Sequence, residues 1–99
     1  MTFIQYTPNS SNDILRLVLF AYELEPDYGE QVSDTIEDGI KILNRHPKIG
    51  RLVLNTNHRE LVISYGKSGY IALYRYDELR NIVTVLAVRH QRELEFPAE

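Results

Sequence analysis

The sequence contains no cysteine. Without thiols the chain has no disulfide framework, no thiolate metal site and no cysteine nucleophile, and it suits a reducing compartment such as the cytoplasm. The longest apolar run, residues 14 to 24, is interrupted by Arg16 and Glu23 and is shorter than the roughly 20 residues that cross a bilayer. The first five residues include no basic region and no cleavage-site pattern. We therefore expect an unprocessed cytoplasmic protein with no membrane partner.

The length of 99 residues suits one domain, and we expect residues 1–99 to form a single unit with a flexible tail over 94–99. Charge is distributed unevenly. Residues 1–40 hold eight acids and one base, residues 41–92 hold ten bases and three acids, and the rest holds three acids. The basic part could present a positive face to a partner, or it could attract the acidic part of the same chain. A net charge of −3 is weak support for nucleic-acid binding.

The first part of the chain predicts a strand and then an amphipathic helix. A strand over 3–7 ends at Pro8, and Ser10 with Asp13 has the spacing of a capping box, which predicts that a helix begins there. One apolar stripe follows at helical spacing: Ile14, Leu17, Val18, Ala21 and Tyr22. Three apolar residues lie outside it: Leu15, Leu19 and Phe20. This surplus indicates a cover beyond the sheet; the alternative is a helix held between the sheet and a second helix.

A second helix is predicted after Pro26 stops the first one. Asp27 with Glu30 repeats the capping-box spacing, and the helix should end at His46-Pro47, because proline disfavours helical geometry in the residue before it. Its expected buried stripe is Val32, Ile36, Ile40 and Leu43. The two segments form a helical hairpin.

From residue 51 the apolar period changes to two, which is typical of strands. Strands are expected over 52–54, 59–65, 70–76 and 82–88, with a turn at 55–58 and a hairpin loop at 66–69. Short connections favour an antiparallel meander. The expected fold is α+β, with the order β-α-α-β-β-β-β and the helical hairpin packed on the sheet. The row Tyr70, Ala72, Tyr74 and Tyr76 should lie in the core; the alternative is a wet stacking platform.

Local motifs in this order resemble the RelE/ParE toxin superfamily over residues 3–93. The segment 47–51, Pro-Lys-Ile-Gly-Arg, is similar to the junction after the second helix of ParE-like toxins. The segment 59–62, Arg-Glu-Leu-Val, resembles their second strand, and 70–75, Tyr-Ile-Ala-Leu-Tyr-Arg, resembles their tyrosine-arginine strand. The final strand and its basic end, 83–93, is similar to their histidine-containing segment. The resemblance implies the RelE/ParE fold.

The resemblance also implies the toxin of a bacterial type II toxin–antitoxin, or plasmid stabilisation, system. Members of the superfamily either cut mRNA on the ribosome or bind DNA gyrase. RelE-like nucleases carry lysines on the second strand and an arginine after the tyrosine that opens the third. Here 61–64 reads Leu-Val-Ile-Ser and Ile71 follows Tyr70, so charges that would stabilise a cleaved phosphate are missing. The resemblance therefore favours a ParE-like gyrase inhibitor that acts by binding and needs no cofactor.

Two alternatives stay open, together with the partners that each implies. One is a ribosome-dependent mRNA endonuclease that uses His90 with Arg89 and Arg92; the other is a non-toxic relative that only binds a partner. In every case the resemblance implies a cognate antitoxin, and a homodimer or a hetero-oligomer with that antitoxin is compatible with it. An antitoxin would cover the surplus apolar residues of the first helix, Leu15, Leu19 and Phe20.

The candidate target-binding residues are basic and lie in the strands and after them: Arg59, Arg75, Arg89, His90 and Arg92. Bidentate contacts to carboxylates suit the arginines. An imidazole is a common general acid or base, so His90 could act as one, or it could instead order the end of the strand. His46 and His58, expected to close the second helix and to lie in a turn, have no second ligand at metal-binding spacing, so no metal site is predicted.

Overall fold

The computed structural model describes residues 1–65, 68–93, 95 and 96, without the side chains of 64, 65 and 68. The elements of this part of the chain are β1 (Phe3–Tyr6), α1 (Pro8–Leu24), α2 (Pro26–Lys41), a 3₁₀ turn (Ile42–Asn44), β2 (Arg51–Leu52), β3 (His58–Tyr65), β4 (Ser68–Asp77) and β5 (Ile82–His90). The predicted order of elements is confirmed. The loop prediction at Gly66-Lys67 and most of the tail prediction fall outside the described residues.

The strands form one sheet in the order β1-β5-β4-β3-β2. Strands β2 to β5 make the predicted antiparallel meander. Strand β1 joins the sheet beside β5 in parallel, which the spacing of the sequence did not predict. The parallel pair is possible because a long connection, made of the helical hairpin and strands β2 to β4, separates the two strands in the chain. The α+β class with the helices packed on one face of the sheet is therefore confirmed.

Both predicted capping boxes are wrong. Helix α1 begins at Pro8, and its cap is Thr7, whose Oγ1 accepts the Ser10 N–H at 3.1 Å. Ser10 lies in the first turn and is buried. Helix α2 begins at Pro26 after Glu25, which makes no side-chain capping bond. In both helices a proline in the first turn, where no backbone N–H is needed, marks the start.

The end of the helical hairpin also differs from the prediction. Regular helix stops at Lys41, and the 3₁₀ turn carries the chain on to His46. The backbone N–H of His46 donates to the Ile42 carbonyl at 2.9 Å, so His46 does close this segment. His58 is the first residue of β3 rather than part of a turn. Strand β2 is shorter than expected, and β5 runs two residues further, to His90.

The core lies between the helices and one face of the sheet. The α2 stripe of Val32, Ile36, Ile40 and Leu43 is fully buried, as predicted. Tyr70, Ala72 and Tyr74 of β4 are buried against it, so the tyrosine row packs in the core and is not a wet platform. Helix α1 contributes the buried residues Leu17 and Ala21 to the core. Tyr22 is exposed, so its prediction as part of the buried stripe was wrong. Tyr22 lies instead over Gly29, where the two helices approach closely.

Candidate functional site

The helices cover one face of the sheet, and the other face stays open. Side chains alternate between these faces along each strand. On β3 and β4 the pair Arg59↔Tyr74 therefore lies on the helix side, and the pair His58↔Arg75 lies on the open side. The two candidate arginines are on neighbouring strands, as expected, but they point to opposite faces.

Arg59 is bonded within the molecule. Its guanidinium donates to the carbonyl of Lys48 at 3.0 Å and to that of Gly50 at 2.8 Å. The buried Tyr74 hydroxyl holds the same segment: it accepts the Gly50 N–H at 2.9 Å and donates to the Pro47 carbonyl at 2.8 Å. Desolvation by burial raises the pKa of Tyr74 above its ordinary value. Arg59 thus fixes the junction before β2, while Arg75 is exposed.

The middle of the open face is apolar. Val62 is 58% exposed and pairs with Ile71, which in turn pairs with Arg89 on β5. These are the positions at which RelE-like nucleases were expected to carry cations. On the same face, Arg51 of β2 and Glu60 of β3 form an ion pair at 2.9 Å. The open face therefore offers apolar contact flanked by arginines.

Arg89 organises the turn that follows β5. One guanidinium nitrogen donates to the carbonyls of His90 at 3.3 Å and Gln91 at 3.4 Å, and it also donates to that of Glu93. The guanidinium carbon lies 5.1 Å from the centre of the Phe96 ring, a cation–π distance. Among the described residues, the buried Nε of Arg89 has no hydrogen-bond partner. Arg89 is thus largely occupied with the backbone of its own chain.

His90 lies on the helix side of the sheet, opposite Arg89. It pairs with Tyr70, and the two rings make an edge contact with centres 5.5 Å apart. The Arg92 N–H donates to His90 Nδ1 at 3.0 Å. An Nδ1 that accepts places the proton of the neutral ring on Nε2, so His90 offers a donor to a ligand.

A groove of about 620 Å³ opens beside His90, between α1 and the ends of β4 and β5. Apolar side chains of α1 and α2 line one part of it: Leu17, Phe20, Ala21, Leu24 and Tyr28. Arg16, His90, Arg92 and Glu93 line the other part. Of the five candidate target-binding residues, the structure brings only His90 and Arg92 together here.

The exposed face of α1 adjoins this groove. Leu15 is 54% exposed, Leu19 51% and Phe20 66%, so all three surplus residues of the sequence pattern are uncovered. Tyr22 and Leu24 extend the same surface and are exposed too. Tyr22 lies seven residues after Leu15 and Leu24 lies four after Phe20, and this helical spacing was the signal that could have identified them. Exposed apolar residues gathered on one face of a helix are typical of protein interaction sites.

The sequence analysis did not recognise as site residues the groove-lining Arg16 and Glu93 or the buried Asp13 beside β5. Asp13 is buried, and its Oδ2 accepts the Val88 N–H at 2.9 Å. Desolvation raises the pKa of the Asp13 carboxyl above its ordinary value. Arg16 forms an ion pair with Glu93 at 3.3 Å. The long sequence separation of these contacts explains why local patterns did not reveal them.

The described residues include no group of three histidine, aspartate or glutamate side chains placed to hold a metal ion. Neither helix of this part of the chain has the length and apolar content needed to cross a bilayer.

Comparison with known proteins identifies the family. Residues 4–95 match the family model described as ParE toxin of type II toxin-antitoxin system, parDE. The chain is 27% identical over 93 residues to toxin RelE3 of Caulobacter vibrioides, covering 94% of this chain and 98% of that one.

Solved structures share the fold. A chain of the chromosomal ParDE system of P. aeruginosa superposes with a TM-score of 0.75 at 16% identity, covering 89% of this chain and 94% of that chain. A chain of the intact E. coli RelBE toxin–antitoxin complex gives 0.65 at 17% identity, with the same coverage. A chain of the Mycobacterium tuberculosis RelBE2 toxin–antitoxin complex superposes with a TM-score of 0.59 at 20% identity, covering 91% of this chain and 98% of that chain. Because the family model matches residues 4–95, nearly the whole chain, the protein is a member of the ParE toxin family of type II toxin–antitoxin systems.

Proposed function

We propose that this toxin inhibits DNA gyrase by binding it rather than by cutting RNA. The observation that carries the proposal is the apolar row across the open face, where Val62 pairs with Ile71. Cleavage of a phosphodiester develops negative charge, and preorganised positive groups stabilise that charge. An exposed valine and an isoleucine at these positions provide none.

The position of His90 supports the same choice. A nuclease site would need His90 as acid or base together with cations that hold the phosphate. His90 lies on the helix side of the sheet, whereas Ile71 and Arg89 lie on the open side. The Arg89 guanidinium is bonded to backbone carbonyls, so it is not available as a phosphate clamp in this arrangement. The net charge of −3 also suits a protein target better than a ribosome, whose RNA repels an acidic partner at long range.

In this proposal the target-binding surface is the groove with His90 and Arg92, and Arg75, on the opposite face of the sheet, is a separate target contact. Arginines give such a surface bidentate contacts to carboxylates, and the Nε2 donor of His90 adds a directional bond. Arg59 and Arg89 contribute by fixing the segments next to it. The supercoiling reaction of gyrase takes place in the cytoplasm, where the composition also predicts this protein.

A cognate antitoxin is the second partner in the proposal. The uncovered residues Leu15, Leu19 and Phe20 form an apolar face on α1. An amphipathic helix or extended segment of the antitoxin would bury this face, a common mode of peptide recognition. Two of the similar solved structures are toxin–antitoxin complexes, which supports such a partner.

Two reactions run in parallel test the proposed target. Purified toxin is added to gyrase with relaxed plasmid and, separately, to a translation reaction with labelled mRNA. Lost supercoiling with intact mRNA supports the proposal. Message cut only when ribosomes are present, with cutting abolished in His90→Ala, would establish the endonuclease alternative. No effect in either reaction, with antitoxin binding retained, would indicate a non-toxic relative.

A further inference from the structure

The outer edge of β5 has a strand beside it over only half its length. Pairing with β1 ends at Tyr6↔Val85, and a bulge follows, because Leu73 pairs with Ala87 while Tyr74 pairs with Val85. Beyond this point β5 is the outermost strand on that side of the described sheet. Backbone groups at a strand edge need partners, which are usually a neighbouring strand or water.

Side chains from the start of the chain bond the part of this edge nearest the bulge. The Leu86 carbonyl accepts from Thr7 Oγ1 and from Asn9 Nδ2, each at 3.2 Å. Two residues further on, the Val88 N–H donates to Asp13 Oδ2 at 2.9 Å. Asp13 is only 5% exposed, so water does not compete effectively for this bond. The first turns of α1 thus occupy the place that β1 vacates.

The last residue of the strand is held in a similar way through an intermediate. The His90 N–H donates to Glu93 Oε1 at 2.9 Å. Both terminal nitrogens of the Arg16 guanidinium approach the same oxygen at 3.3 Å. Arg16 follows Asp13 by three residues, so the two side chains leave α1 on the same side, one turn apart. One helix therefore fixes β5 at Val88 directly and at His90 through Glu93.

This arrangement determines where His90 and Arg92 lie. When the carboxylate of Glu93 accepts the His90 N–H, it closes the turn 90–93, in which the Arg92 N–H donates to His90 Nδ1. That bond sets the orientation of the imidazole and leaves Nε2 as the donor. The Arg16 side chain holds Glu93 in place. In these bonds it acts on His90 only through Glu93.

We propose that Asp13, Arg16 and Glu93 are positioning residues that substitute for a missing neighbouring strand and set the geometry of His90 and Arg92 at the target-binding groove. The inference rests on the proposed function for its role in gyrase binding. Its structural part stands on the hydrogen bonds alone and can be tested without gyrase.

Substitutions at Glu93 distinguish the two roles of its carboxylate, which are accepting the His90 N–H and pairing with Arg16. Glu93→Ala removes both the acceptor for His90 N–H and the ion pair with Arg16, whereas Glu93→Gln keeps an oxygen acceptor and loses the charge. Glu95→Ala is the matched control, since it removes an exposed carboxylate two residues away. Amide hydrogen exchange and the ¹⁵N chemical shifts of the His90 ring report the geometry directly.

We expect Glu93→Ala to accelerate exchange at the His90 amide about tenfold or more, because a bond to a charged acceptor is lost. Exchange at Val83, in the half of β5 that pairs with β1, should stay as in the wild type. Glu93→Gln and Arg16→Ala should give intermediate effects, and Arg16→Lys should restore most of the protection. The toxin concentration for half-inhibition of gyrase should rise about tenfold in Glu93→Ala and should not change in Glu95→Ala.

Unchanged exchange and unchanged ring shifts at His90 in Glu93→Ala would overturn the proposal. So would full gyrase inhibition by a variant in which the His90 amide has lost its protection. If the wild-type toxin leaves gyrase unaffected, the proposed target fails instead, and the exchange and ring measurements still decide whether these residues position His90.

Discussion

Asp13 shows how a single residue can take a role that its neighbours in sequence do not reveal. Its spacing from Ser10 suggested a helix cap, but the carboxylate lies beneath β5 and accepts the Val88 N–H. Desolvation is the main cause that raises the pKa of Asp13 above its ordinary value of 3.8, and Arg16 and the Val88 bond act in the opposite direction. A raised pKa in the folded state means that folding favours the protonated form.

The sign of the resulting pH dependence follows from linkage. The stabilisation associated with protonated Asp13 is complete below the unfolded pKa and is lost as pH rises through the higher folded pKa. Asp13→Asn keeps an oxygen acceptor and does not titrate. We therefore expect the stability of Asp13→Asn relative to wild type to increase as pH rises from acid to neutral, in urea unfolding followed by circular dichroism. Parallel curves for the two proteins over this range would contradict the assignment.

Tyr74 supports a second prediction. Its hydroxyl bonds the buried Gly50 N–H and the Pro47 carbonyl. Tyr74→Phe leaves that N–H without a partner, and we expect a loss of about 1 to 3 kcal/mol in the free energy of unfolding. Tyr76→Phe is the control, because its hydroxyl bonds Asn81 in an exposed setting. Urea titration compares the two variants, and equal small losses would contradict the structural role of Tyr74.

At the scale of elements, the two helices approach most closely at Gly29. A Cβ there would lie 2.8 Å from the Tyr22 Cβ and 3.0 Å from the Tyr22 Cα, which is backbone of α1. Gly29→Ala must therefore separate the helices, and we expect a loss of about 1 to 3 kcal/mol in stability. Gly39→Ala should cost less, since the three atoms nearest to its Cβ, at 2.7 to 3.2 Å, belong to the Ile63 side chain rather than to backbone. Thermal unfolding of both variants tests this order, and a larger loss for Gly39→Ala would refute it.

The exposed face of α1 is the basis of a prediction about antitoxin binding. Leu19→Glu places a charge in its centre, and we expect the affinity for the cognate antitoxin to fall at least about tenfold, since burying an unpaired charge is costly. Folding should be unaffected because Leu19 is half exposed already. Leu79→Glu, in the exposed turn between β4 and β5, should bind as the wild type does. Calorimetric titration measures the antitoxin affinity of both variants. Equal affinities would show that the α1 face is not part of the interface.

The helices and the meander were predictable because their apolar periods are local properties of the sequence. The α2 stripe and the tyrosine row of β4 lie in the core for this reason. The pairing of β1 with β5 was not predictable from spacing, since it joins residues 79 positions apart. The helix starts were misassigned because the true cap, Thr7, comes before a proline that looked like the end of a strand.

For the molecule as a whole, the uneven charge of the chain corresponds to the two layers of the fold. The acidic first part supplies the helices, and the basic second part supplies most of the sheet. The sequence identified residues at the groove, His90 and Arg92, and the uncovered face of α1. It could not indicate that Arg59 and Arg89 are bonded to carbonyls of their own chain, because those bonds depend on the turns at 47–50 and 90–93.

The supercoiling reaction of purified gyrase tests the central claim most directly. With wild-type toxin present, supercoiling should stop and cleaved plasmid should accumulate, while antitoxin added beforehand should prevent both effects. Charge reversal at Arg92, at the edge of the groove, should weaken the inhibition. Undisturbed supercoiling, accompanied by toxin-dependent cleavage of mRNA on ribosomes, would contradict the account.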